Sequence, residues 1–333
     1  MSRSLVRTVI VSTVWLGAQA AELAAPASLS LPRPARLPEL GPGDHEISLV
    51  HQNVTHRFQV HVPRRVGQTS PAPLLLSFHG GGGTAAAGEA VTQLIPFSDS
   101  KGFVLVEPEG YDIANTGVRT WNAGACCGPA VTRQIDHVGA TAAFLDLIQR
   151  KLMIDPKRIY ATGHSNGGML AYRLACELSD RIAAIAPNAA FLMNQDLAQN
   201  PPRTLFACQP KRPVPVFHMH GLSDACAPFN GGVGHTDPSI RPPVSYGINL
   251  FRQLNRTSPA STISYQRGAT TCETWTGLTG ADVTLCTSAE AGHVWPGSDL
   301  YRWETRQNCG GNKTEDLDAN SALWSFMLAH PLP

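Results

Sequence analysis

The chain has 333 residues, 43% of them hydrophobic and 15% charged, with 26 basic against 25 acidic side chains. That length and apolar content suit one α/β domain with a large core. The near-neutral balance excludes nucleic acid and anionic membrane surfaces as electrostatic partners.

Residues 1–20 combine Arg3 and Arg7, an apolar stretch from Val9 to Leu16, and Ala18-Gln19-Ala20, the A-x-A form of a cleavage site. They read as a secretory signal peptide, because the apolar run falls well short of the roughly 20 residues a spanning helix needs. No cysteine lies nearby to carry a lipid anchor, and removal of the segment leaves 24 basic against 25 acidic residues. Residues 21–43 are proline-rich without hydrophobic periodicity, so a flexible linker is expected there, followed by a single catalytic domain over 44–333.

In that domain, 46–51 and 54–62 read as a hairpin turning at Gln52-Asn53, and 74–78 and 103–106 as short apolar strands buried on both faces. Apolar residues at 135, 138, 142, 145, 148 and 152 predict a helix with one buried face. A strand over 158–162 then runs into Ser165, and Leu170, Leu174 and Leu178 mark a helix beyond it. Strands are expected at 182–186 and 214–219, a helix at 244–254, a strand in DVTLCT and a closing helix over 317–329. Strands alternating with helices predict an α/β fold with a mostly parallel central sheet flanked by helices on both faces.

Eight cysteines in a chain that reads as exported favour disulfides over metal ligation. Cys272 and Cys286 flank the turn-rich GLTGAD and are expected to pair. Cys126 and Cys127 are adjacent, so a bond between them is expected to strain the intervening peptide, and separate partners are predicted.

The chemistry centres on Gly163-His164-Ser165-Asn166-Gly167, a G-x-S-x-G pattern. With 30 glycines in the chain, such a pattern arises by accident roughly 0.2 times, so its weight comes from context. A strand before it and a helix after it give the sharp turn that lifts a serine above a sheet edge. Ser165 is therefore the candidate nucleophile, and it needs a base held by an acid. His293, in a glycine-flanked loop after the DVTLCT strand, is the candidate base. Asp224, just past a buried strand, is the candidate acid, with Asp196 and Asp237 as rivals of poorer placement. His218 and His220 lie two apart on a strand and read as packing or cleft-wall residues.

His79-Gly80-Gly81-Gly82-Gly83 follows a strand and offers backbone donors for an oxyanion: Gly81 or Gly82, with the N–H of Asn166 as the second. A phosphate loop is excluded because its lysine and Ser/Thr are absent. Asp136 reads as a helix-start carboxylate. His79, Trp121, Asn122, His164 and Trp295 are candidates for contacting substrate, with the vicinal cysteines pinning the loop that bears Trp121. Filling the core is the alternative for both tryptophans.

Taken together, SFHGGGG, WNAGACCGPA, IDHVG, GHSNGG, HGLSDACAPFNGG and AGHVWPG resemble the polyhydroxybutyrate-depolymerase-like esterases, which are related to feruloyl and acetylxylan esterases. The resemblance implies an α/β-hydrolase fold and a Ser165, Asp224, His293 triad, with neither metal nor organic cofactor. It implies a polymeric or oligomeric ester as substrate, of polyhydroxyalkanoate type. The alternatives are a polyamide such as poly(aspartic acid), a feruloyl or acetylxylan ester, and a secreted polymer-binding protein with a relict fold. An anionic polyamide calls for arginines in the cleft, for which Arg119, Arg133, Arg241 and Arg302 are available.

Overall fold

The structure is a computed structural model and describes residues 40–66, 70–112, 116–234, 239–298 and 309–333. The expected signal peptide, most of the expected linker, and Asp237 and Arg302 lie outside the described residues.

Ten strands form one sheet. In chain order they are Gly43–His51 (β1), Val54–Val62 (β2), Ala72–Phe78 (β3), Val104–Pro108 (β4), Ile154–His164 (β5), Ile185–Asn188 (β6), Val216–Gly221 (β7), Thr262–Arg267 (β8), Thr270–Trp275 (β9) and Val283–Ser288 (β10). Their order across the sheet is β1-β2-β4-β3-β5-β6-β7-β10-β9-β8. The block from β4 to β10 is parallel, and an antiparallel hairpin extends each edge. The β1–β2 turn places Gln52 and Asn53 at φ 48° and 62°, the left-handed pair that a two-residue hairpin of right-handed twist requires.

Helices Ala85–Thr92 (α1), Leu94–Lys101 (α2), Gly128–Thr132 (α3), His137–Lys151 (α4), Asn166–Glu177 (α5), Val244–Leu254 (α6) and Ala319–Ala329 (α7) complete the architecture. Side chains of successive strand residues point to opposite faces, and the core divides accordingly. Leu74, Leu76, Val104 and Val106 pack with Phe144, Leu145, Ile148, Tyr172, Ile248 and Phe251 of α4, α5 and α6. Leu75, Leu105 and Tyr160 pack instead with Leu94 of α2 and Leu323, Trp324 and Met327 of α7. Both faces of the parallel block are covered, as its continuous apolar runs predict.

Asp136 caps α4, its side chain accepting from the Gly139 N–H, and also bonds His51 at 2.8 Å. Four disulfides are present: Cys126–Cys127, Cys176–Cys208, Cys226–Cys309 and Cys272–Cys286. The last joins directly opposed residues of β9 and β10, as expected. The expectation of separate partners for Cys126 and Cys127 is corrected: their peptide bond is cis, their Cα atoms lie 3.0 Å apart, and the two sulfurs pair with each other.

Candidate active site

Strand β5 ends at His164 and α5 begins at Asn166, leaving Ser165 alone in the turn at φ 53°, ψ −123°. This is a costly conformation for a residue with a Cβ, and it persists only where the surroundings impose it. Two contacts do so: the Ser165 N–H donates to the Asn188 carbonyl at 2.9 Å, and its carbonyl accepts from the Met169 N–H at 3.0 Å. The bracketing glycines are steric necessities. A Cβ on Gly163 would lie 2.5 Å from the Gly167 carbonyl carbon, and one on Gly167 would run into the Phe78 and His79 carbonyls.

The candidate acid and base sit on loops after β7 and β10, neighbouring strands of the parallel block. The Asp224 carboxylate is buried and accepts from His293 Nδ1 at 2.7 Å and from the Ala227 N–H at 2.7 Å. A carboxylate only accepts, so the His293 proton lies on Nδ1 and Nε2 presents its lone pair. His293 and Ser165 line one cleft of about 320 Å³, together with Gly80, Gly81, Gly82, His164 and Asn166.

The glycine run arches over the turn. A Cβ on Gly80 would stand 3.6 Å from Ser165 Cβ, and one on Gly81 would stand 3.5 Å from Asn166 Cβ. The two oxyanion candidates of the run separate here. The Gly82 N–H is committed to the Arg119 carbonyl at 2.7 Å, whereas among the described residues no acceptor takes the Gly81 N–H.

The expected substrate contacts divide in the same way. His164 lines the cleft, its ring 4.5 Å from that of His293, and its Nδ1 lies 2.8 Å from Asn188 Nδ2. That amide nitrogen also donates to the Val294 carbonyl, which fixes its orientation. Burial holds the His164 pKa well below its ordinary value, so the ring beside His293 is neutral.

His79, Trp121, Asn122 and Trp295 are not among the residues that line this cleft, although His79 lines an adjoining pocket with Gly80 and His164. Trp121 is buried against Phe78, His79 and His137, and its indole donates to the His79 carbonyl at 2.8 Å. Its backbone is clasped by the Asn166 side chain, which accepts from Trp121 N and donates to Trp121 O. The Asn122 amide bonds the Ile135 carbonyl and the Arg173 guanidinium. His79 bridges the Gly80 carbonyl and the Gly110 N–H, and burial pulls its pKa down to about 4. Trp295 packs with α7 residues and bonds Asn320.

Of the arginines considered, Arg241 lines the cleft, while Arg119 pairs with Glu109 and Arg133 is exposed. Asp196 pairs loosely with Arg203, away from the site. Sequence reasoning missed Asn188, whose position at the end of the strand beside the serine turn was the available signal. It also missed Met169 as a cleft wall, and no sequence pattern marks that residue.

No family model matches the chain. In sequence it is similar to feruloyl esterase B of Piromyces equi, 33% identical over 162 residues, covering 49% of this chain and 28% of that protein. It is likewise similar to the bifunctional acetylxylan esterase/xylanase XynS20E of Neocallimastix patriciarum, 31% identical over 52% of this chain and 22% of that one. A probable feruloyl esterase C of Aspergillus niger is 23% identical over 66% of this chain and 78% of its own. The chain thus spans less than a third of the length of the first two relatives.

Among solved structures, the acetyl xylan esterase from Aspergillus awamori superposes with a TM-score of 0.51 at 12% identity, covering 75% of this chain and 92% of that one. An S-formylglutathione hydrolase from Agrobacterium tumefaciens gives 0.51 at 14% identity, covering 88% and 98%. The chain has the α/β-hydrolase fold, and its sequence is similar to those of feruloyl and acetylxylan esterases.

Proposed function

We propose that the chain is an exported serine esterase acting on feruloyl or acetyl esters of xylan-type polysaccharide. The observation that carries the reading is the convergence, in one cleft, of a serine in a strained turn with a histidine whose far nitrogen is held by a buried carboxylate. Ser165 attacks the ester carbonyl while His293 Nε2 takes its proton and later passes it to the leaving alcohol. Asp224 fixes the tautomer and stabilises the imidazolium that forms. The oxyanion is held by the N–H groups of Gly81 and Asn166, donors already in place before reaction. Water then hydrolyses the acyl-enzyme by the reverse proton path.

The names of the relatives favour this carbohydrate ester over the polyhydroxyalkanoate polyester, and a single cleft arginine among the described residues gives little support to an anionic polyamide. Turnover of methyl ferulate, acetylated xylo-oligosaccharides and hydroxybutyrate oligomers ranks the substrates. Replacement of Ser165 by Ala is expected to lower kcat roughly 10³-fold or more with the fold intact. Undiminished ester turnover in Ser165→Ala sinks the reading, and failure of the wild type to react with a fluorophosphonate probe restores the relict binding protein.

A further inference from the structure

Beside Asp224 lies a row of polar groups that the reaction itself does not use. Tyr172 of α5 bonds His218 Nδ1 at 2.9 Å, His218 Nε2 meets His220 Nδ1 at 3.0 Å, and His220 Nε2 meets the Ala227 carbonyl at 2.7 Å. Tyr172, His218 and His220 are all buried, and the two imidazole planes lie 8° from parallel. Phe191 and Phe229 flank the His220 ring.

The direction of every bond in this row follows from its last member. A carbonyl only accepts, so with both rings neutral His220 carries its proton on Nε2 and offers a lone pair at Nδ1. His218 must then carry its proton on Nε2 and accept at Nδ1, and the Tyr172 hydroxyl donates into it. Burial favours neutrality throughout: it lowers the pKa of both histidines and raises that of Tyr172.

The row ends on the residue that holds the candidate acid. The Ala227 carbonyl receives His220, while the Ala227 N–H donates to Asp224 Oδ1 at 2.7 Å. His220 Nε2 also stands 3.8 Å from Asp224 Oδ2, the oxygen that accepts from His293. At its other end Tyr172 projects from the helix that begins immediately after Ser165.

We infer that Tyr172, His218 and His220 are positioning residues that fix the Asp224 carboxylate against His293 and tie its loop to the helix bearing Ser165. The inference rests on the triad reading of Ser165, His293 and Asp224. Loosening the row lets the acid drift from His293 Nδ1, and misplacement on the scale of 1 Å costs up to about 100-fold in rate.

The test combines kinetics on 4-nitrophenyl acetate with proton and ¹⁵N NMR of the whole protein. His220→Leu is expected to lower kcat roughly 10- to 100-fold with KM changed less than about twofold. The low-field proton of the His293–Asp224 hydrogen bond is expected to weaken or move upfield in the same variant. His220→Gln, which keeps a donor for the Ala227 carbonyl, restores most of both. Tyr172→Phe, nearly isosteric, gives a smaller loss, and the Tyr172→Phe/His220→Leu double variant is no slower than His220→Leu alone, because both act through one row. In the wild type at pH 8, ¹⁵N shifts should show His218 and His220 neutral and protonated at Nε2.

A kcat within twofold of wild type with an unchanged low-field proton in His220→Leu overturns the inference. So does an Nδ1-protonated neutral His218 or His220 in the wild type, a result independent of whether any variant folds. If the wild type cleaves no ester yet shows the ordered tautomers and the low-field proton, the functional reading fails and the row stands as a structural clamp.

Discussion

Gly167 shows how one missing side chain makes a reactive one possible. Its Cα passes so close to the Phe78 and His79 carbonyls that a methyl group there has nowhere to go, and the same crossing holds the Ser165 turn. Gly167→Ala is expected to cost roughly 3 kcal/mol or more, read as a lowered denaturant midpoint, because backbone rather than a flexible side chain must move. Trp121 is the converse case, a residue whose type suggested substrate and whose surroundings are core. Trp121→Phe removes the indole donor to the His79 carbonyl, so a loss of about 1–2 kcal/mol in stability is expected with KM for methyl ferulate nearly unchanged. A KM raised tenfold at unchanged stability would return Trp121 to the cleft.

Among the elements, β2, β3 and α4 each place a buried histidine where it cannot be charged. Burial lowers the pKa of His56 and His79 to about 4 and that of His137 to about 3, from an ordinary 6.5. These folded-state values lie below the unfolded one, so on acidification the unfolded chain takes up the protons first. Stability present above about pH 6.5 is lost as the pH falls toward 4, at about 2 kcal/mol per histidine by pH 5. Urea unfolding at pH 7.5 and pH 5.0 reads this directly, and a flat profile over that range contradicts it. The antiparallel pairing of β9 with β10 owes part of its persistence to Cys272–Cys286, which closes a loop of sequence separation 14. Replacing both cysteines by alanine is expected to cost about 3 kcal/mol.

At the scale of the whole molecule, the alternation of apolar strands and amphipathic helices made the sheet and its two covered faces legible, since period-2 and period-3.6 burial is local information. The serine turn, the acid loop and the histidine loop were legible for a related reason: each follows a buried strand. Lateral placement was not legible. Whether Trp121 faces the cleft or the core depends on the Asn166 side chain clasping its backbone from 45 residues away. The commitment of the Gly82 N–H likewise depends on a carbonyl of residue 119. The pairing of Cys126 with Cys127 was likewise not legible in residue types. Five residues of motif can name a reactive group, but its neighbours come from distant parts of the chain.

The nesting of Cys272–Cys286 inside the loop closed by Cys226–Cys309 bears on how the protein is made. During synthesis at about 5–20 residues per second, Cys226 emerges roughly 4–17 s ahead of the partner that lies 83 residues later. Pairing by order of appearance would join Cys226 to Cys272 and Cys286 to Cys309, and neither bond belongs to the finished fold. Any bonds formed in that order must reshuffle before the native pairs can close. Supplying a disulfide isomerase, or a glutathione redox buffer during refolding, is expected to raise the yield of active protein more than slower expression or lower temperature does.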